Sequence, residues 1–178
     1  RNQDITYVLM DNQVYGLTKG QPSPTTPTGM AALQRSSSMP KMAPYEGVLE
    51  GQLNMLAMIL VYGCTFVART FSSQATEMSK LIGQGLDHHG FSFIHAMSPC
   101  PTFYNTYDPW KESFVPLPED WDDTDRIKAI DLTMEEANEG MFHSGIFYQK
   151  QRPTYMDKVH SVFSKAHGDQ ISSIEALM

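Results

Sequence analysis

Asn12, the backbone carbonyls that follow it, Gly16 and Lys19 put hard oxygen donors, a small residue and a cation within a few positions of one another. Amide and carbonyl oxygens of this kind suit a magnesium ion that itself holds phosphate oxygens. Gly16 lets the backbone approach a ligand closely, and Lys19 supplies a positive charge at the mouth. These residues belong to the stretch 11–26, DNQVYGLTKGQPSPTT, directly after the apolar segment ITYVLM at 5–10. A β-rich segment ending in Asp-Asn, then Gly, Thr, Lys and prolines, describes a buried strand delivering a polar loop. In open α/β sheets, ligands bind at that strand exit.

The other reactive side chains are few. Two cysteines, Cys64 and Cys100, do not make a disulfide framework, which points to a reducing cytoplasm. Cys100 sits between prolines after an apolar segment, and Cys64 lies beside Gly63 as a core residue. His88 and His89 are adjacent, so on a helix they point in different directions, and no third metal ligand is patterned nearby. His95 alternates within an apolar segment and reads as a satisfied core histidine. His143 and His160 carry no motif. The acidic run 119–125 reads as a solvated loop whose Asp123 or Thr124 caps a helix. Trp110 and Trp121 read as solvated-loop residues, with partner contact as the alternative.

The elements that position these groups follow from periodicity. Residues 5–10 form a strand, and 11 to about 44 form a long functional loop. A helix at 51–62, stopped by Gly63, leads to a strand at 65–71. A helix at 74–88, with Met78, Leu81, Ile82 and Leu86 on one face, leads to a strand at 91–97. An irregular segment runs to 123. A helix at 124–140, a strand at 142–148 and a last helix from Pro153 complete the order, with a tail after Gly168 that docks or frays. Alternating strands and helices predict a single α/β domain over 1–178, with a parallel twisted sheet, right-handed crossovers and helices on both faces.

Composition bounds the class. A chain of 178 residues suits one well-buried domain, and 41% hydrophobic residues without an uninterrupted spanning segment read as soluble, with no membrane partner. A formal net charge of −7 argues against a nucleic-acid partner. The chain opens at Arg1 within a few residues of a core strand, which reads as an N-terminally truncated fold.

The fourteen residues from Asn12, Asn-x-Val-Tyr-Gly-Leu-Thr-Lys-Gly-Gln-x-Ser-Pro-Thr, resemble the magnesium and thiamine-diphosphate loop of the beta subunit of 2-oxoacid:ferredoxin oxidoreductases. The resemblance extends to GCTFVAR at 63–69, MSPCPT at 97–102 and PLPED at 116–120, and covers roughly the first 130 residues. It implies a thiamine-diphosphate-binding fold. Asn12 through its side chain and Val14 through its backbone oxygen would hold magnesium, together with an upstream Gly-Asp-Gly aspartate that this sequence lacks. Tyr15, Gly16, Leu17 and Thr18 would line the cofactor, with Leu17 beside the reacting carbon and Lys19 toward the substrate carboxylate. Cys100 would be one of four ligands to a [4Fe-4S] cluster, the other three lying outside this sequence.

The implied reaction is reversible, coenzyme A-dependent oxidative decarboxylation of a 2-oxoacid, giving acyl-CoA, carbon dioxide and reduced ferredoxin. The resemblance favours 2-oxoglutarate, with pyruvate next. An alpha subunit would complete the site. The alternatives are a non-catalytic interaction fragment of the same fold and a cluster-free thiamine-diphosphate decarboxylase or synthase.

Overall fold

The computed structural model describes residues 2–30 and 48–167. The expectations for 31–44 and for the tail after Gly168 lie outside the described residues. Seven strands and five helices follow in the described order: β1 (Ile5–Asp11), β2 (Val14–Tyr15), β3 (Gln21–Pro22), α1 (Met55–Val61), β4 (Phe66–Phe71), α2 (Ala75–Asp87), β5 (Phe91–Met97), α3 (Tyr107–Ser113), β6 (Phe114–Pro116), α4 (Arg126–Glu139), β7 (Phe142–Gln149) and α5 (Tyr155–His167).

The main sheet has the order β1-β5-β4-β7-β6. The expected parallel α/β sheet is present for the most part: β1, β5 and β4 are parallel neighbours, and β6 runs parallel to β7. One ladder departs from the expectation. Strand β7 runs antiparallel to β4, with a register shift between Val67 and Ala68. Periodicity assigns a residue to a strand but does not encode strand direction, so the sequence left this reversal hidden.

Helices cover both faces. Leu81 of α2 packs with Phe66, Ala68 and Ile94, while Leu56 and Leu60 of α1 pack with Val67, Phe93 and Phe147 on the other side, where α4 adds Ala129. Neighbouring residues of β4 thus serve opposite cores, and Phe66, Val67 and Ala68 are all buried.

Several boundaries are set by caps. Helix α1 starts later than expected because Asn54 accepts the N–H of Ala57 and fixes the first turn there. Gly63, at φ +87°, ends it. Helix α4 is capped by Asp125, not by Asp123 or Thr124; the Asp125 carboxylate accepts from the N–H groups of Ile127 and Lys128. Thr154 and Asp157 exchange reciprocal bonds at the start of α5, the Thr154 N–H at 2.7 Å and the Asp157 N–H at 3.1 Å.

The segment expected to be irregular up to 123 contains α3 and β6. Trp110 is buried there among Phe71, Phe114 and Phe142, and the Trp121 indole donates to the Phe147 carbonyl at 3.1 Å. Trp110 is therefore a core residue of this chain, and Trp121 packs partly buried against the core, so neither stands in a solvated loop. Two apolar side chains per short element leave too little pattern for periodicity to register.

Candidate cofactor site at the strand exits

Asp11, the last residue of β1, organises the loop that leaves the sheet. Its Oδ1 accepts the Gln13 N–H and the Thr25 hydroxyl, each at 2.8 Å. Its Oδ2 lies 3.0 Å from Nε2 of His95 on β5. Gln13 sits at φ +60°, a left-handed conformation held in place because its N–H is bound by Asp11 and its carbonyl accepts the Thr26 hydroxyl. Both ends of the stretch 11–26 are therefore pinned at one buried carboxylate.

Burial alone would push the Asp11 carboxyl up. The hydrogen bonds from His95, Gln13 and Thr25 outweigh that effect and hold it below the ordinary range. Burial pushes His95 down, the Arg69 charge adds to this, and Asp11 only partly opposes it. A neutral His95 beside an ionised Asp11 must carry its proton on Nε2, donating to Oδ2. Its Nδ1 is then an acceptor, buried and without a partner among the described residues. His95 is thus only half satisfied.

Beyond Asp11 the chain makes the β2–β3 hairpin. The Asn12 side-chain oxygen accepts the Val14 N–H at 3.1 Å, and the Val14 carbonyl accepts the Gly16 N–H at 3.0 Å. Each of these oxygens keeps a second lone pair. Leu17 is fully exposed at the tip, flanked by exposed Tyr15, Thr18 and Lys19. The Thr18 hydroxyl bonds to Gln21 at 2.6 Å. Lys19 adopts φ +81° and Gly20 φ +92°, with Phe103 packed so closely beneath Gly20 that a Cβ there would lie 3.0 Å from it.

Cys100 arrives from the neighbouring strand exit. Asp11 and Met97 are partners in the β1–β5 ladder, and the Ser98 N–H donates to the Asp11 carbonyl at 2.8 Å. The two loops therefore leave the sheet side by side. A Cβ on Gly16 would sit 3.2 Å from the Cys100 sulfur and 3.4 Å from the Asn12 amide nitrogen. Asn12, Gly16 and Cys100 thus meet in one cluster. Cys64 is elsewhere: its thiol is buried, faces the Phe66 and Phe91 carbonyls at 3.1 Å, and is pushed up to about 11 by burial.

Below the loop, a cavity of about 80 Å³ is lined by Asp11, Arg69, His95, Thr133, Glu136 and Phe142 among others. Arg69 and Glu136 form a buried ion pair at 2.7 Å, their side chains 6% and 3% exposed. The Arg69 guanidinium also lies 5.0 Å from the Phe147 ring centroid, and Nδ1 of His143 lies 2.8 Å from the other Glu136 oxygen. The space is large enough to hold ordered water.

The donors present fit the implied groups in part. Asn12 and Val14 offer two neutral oxygens to one side of a magnesium ion, and Cys100 offers one sulfur to a cluster. Among the described residues no three His, Cys, Asp or Glu side chains gather as a metal site. The loop residues expected from sequence are brought together. Asp11, Arg69, His95, Glu136 and His143 were not expected, because each pairs across about 7 to 84 positions of sequence. The one local signal was Asp at the strand end.

Comparison with known proteins places the chain in a family. Residues 1–96 match the family described as thiamine pyrophosphate enzyme, C-terminal TPP binding domain, and residues 100–164 match the family of C-terminal regions of the pyruvate ferredoxin oxidoreductase beta chain. The chain is 31% identical to the 2-oxoglutarate synthase subunit KorB of Methanocaldococcus jannaschii over 93% of its length and 58% of that protein. It is 34% identical to the 2-oxoacid:ferredoxin oxidoreductase subunit beta of a Sulfolobus species, over 89% of this chain and 53% of that one.

The solved 2-oxoglutarate:ferredoxin oxidoreductase of Magnetococcus marinus, with 2-oxoglutarate, coenzyme A and succinyl-CoA bound, superposes with a TM-score of 0.81 at 34% identity, covering 99% of this chain and 58% of that chain. The chain thus spans somewhat over half the length of the relatives it matches. Among the described residues no helix is long and apolar enough to cross a membrane. The chain belongs to the thiamine pyrophosphate enzymes through their C-terminal TPP-binding domain, in the branch formed by the beta subunits of 2-oxoacid:ferredoxin oxidoreductases.

Proposed function

We propose that this chain supplies the diphosphate-holding half of a 2-oxoacid:ferredoxin oxidoreductase, acting on 2-oxoglutarate in preference to pyruvate with coenzyme A as acyl acceptor. The observation that carries this reading is the meeting of Asn12, Gly16 and Cys100 at adjacent strand exits. It joins the residues assigned to magnesium and to iron–sulfur ligation within one contact, as electron transfer out of a decarboxylated substrate requires.

The bound cofactor supplies the carbon nucleophile and electron sink. The residues of this chain do the positioning. Asp11 and His95 fix the start of the loop, on which the Asn12 and Val14 oxygens would hold magnesium. Gly16 leaves room between the loop and the Cys100 sulfur. Leu17, exposed on this chain alone, covers the reacting centre and excludes water once the alpha subunit has docked over it. Lys19 pairs with a carboxylate of the 2-oxoacid.

The test is anaerobic purification of the complete protein with its alpha subunit. Magnesium-dependent thiamine-diphosphate binding, iron–sulfur absorption and 2-oxoglutarate-dependent reduction of ferredoxin are the expected results. A complex that decarboxylates 2-oxoacids without iron, or that binds no cofactor, overturns the reading.

A further inference from the structure

We propose that the end of the sheet opposite the cofactor loop carries a binding site for a phosphate dianion, formed by Arg126, Arg152 and Lys158 around Gly63. This goes beyond the catalytic reading and does not depend on it. The N-terminal ends of β1, β4 and β5 surround a cavity of about 420 Å³, and these three cations line it together with Asn2, Tyr62 and Phe91. No carboxylate lines it. None of the three forms an ion pair with a described residue, although the whole chain carries a net charge of −7. Three uncompensated like charges gathered in a concave space on an acidic chain mark a place where an anion belongs.

The fold holds the cations there. Arg126 donates to the Tyr148 hydroxyl at 3.1 Å, and its guanidinium lies 4.8 Å from the Tyr148 ring centroid. Its Nε is buried and unpartnered among the described residues. The carbonyl of Arg152 accepts the Asn2 amide at 2.9 Å, and Asn2 is itself tied to Thr65 and Phe91. The Nη1 atoms of Arg152 and Arg126 come within 3.7 and 3.8 Å of the Cβ position of Gly63, so both guanidiniums converge on one point. The C-terminal end of α1 lies beside them, but its partial negative charge is too small to balance three full ones.

Guanidinium forks match phosphate oxygens in pairs, which an ammonium alone does not achieve. Tyr62, 81% exposed at the rim, offers a ring face for a base. The ligand is therefore a phosphate group, either free or carried by a nucleoside.

Titration calorimetry of the intact protein with inorganic phosphate, AMP, adenosine and, at matched ionic strength, chloride tests this. Saturable binding of phosphate and AMP, but not of adenosine or chloride, is expected. Arg152→Gln and Lys158→Gln should each weaken it about tenfold without loss of folding, since both side chains are exposed. AMP binding more tightly than phosphate, with the difference removed by Tyr62→Ala, identifies a nucleotide. Equal affinities identify free phosphate. Absence of saturable binding below about 10 mM, adenosine binding as well as AMP, or affinity unchanged in the Arg152→Gln/Lys158→Gln double variant overturns the proposal.

Discussion

The carboxylate of Asp11 lies 3.0 Å from Nε2 of His95 across the β1–β5 ladder, both side chains about 9% exposed. This pair fixes where the loop at 11–26 begins, and it titrates in a defined direction. His95 is depressed from 6.5 by burial first and Arg69 second. The unfolded chain therefore takes up a proton near 6.5 that the fold refuses. Its stabilising effect is complete above that value and declines as pH falls below it. Asp11, depressed from 3.8 because hydrogen bonds outweigh burial, adds a further decline below that value. Urea denaturation between pH 7 and 5 should show falling stability, and His95→Gln should flatten that slope. An unchanged slope in His95→Gln would show that other groups carry it.

Arg69 and Glu136 form the buried pair beside this histidine. Removing one partner leaves an uncompensated buried charge, so Arg69→Met or Glu136→Leu should each cost about 3–5 kcal/mol. The double variant should be more stable than the sum of the two losses implies, because neither charge is then left alone. Chemical denaturation of the full cycle measures this. Additive losses would mean that the two side chains do not interact as the 2.7 Å contact indicates.

Gly16→Ala tests the juxtaposition of loop and cysteine. A Cβ would meet the Cys100 sulfur at 3.2 Å and Asn12 at 3.4 Å. Gly16 lies outside the left-handed region, so alanine costs little backbone strain. The expected result is a melting temperature changed by only a few degrees, with iron content or thiamine-diphosphate affinity reduced about tenfold. Iron analysis and a cofactor titration read these two quantities separately from stability.

Lys19 combines an exposed charge with a conformation unfavourable to it, φ +81°. Lys19→Ala keeps the backbone strain and removes the ammonium. Lys19→Gly removes both and should raise stability by up to about 1 kcal/mol. If Lys19 pairs with the distal carboxylate, both variants should lower kcat/KM for 2-oxoglutarate about tenfold more than for pyruvate. Equal losses on both substrates would exclude that contact.

Much of this protein was legible in its residues. The strand at 91–97 and the α/β order of elements followed from periodicity, because a half-buried helix or a buried strand writes its environment into residue type every few positions. The loop from Asn12 was legible because its chemistry is contiguous: amide, carbonyl, glycine and lysine occupy neighbouring positions.

Tertiary structure alone decided the rest. The reversal of β7, the burial of Trp110 and the packing of Trp121 against the core, and the pairing of Asp11 with His95 and of Arg69 with Glu136 all depend on residues far apart in sequence. The same holds for the approach of Cys100 to Gly16, which arises because two parallel strands end at the same level and release their loops side by side. Residue type states what a side chain can do. Which charge stands opposite it is set by strand order and register, and these belong to the folded sheet as a whole.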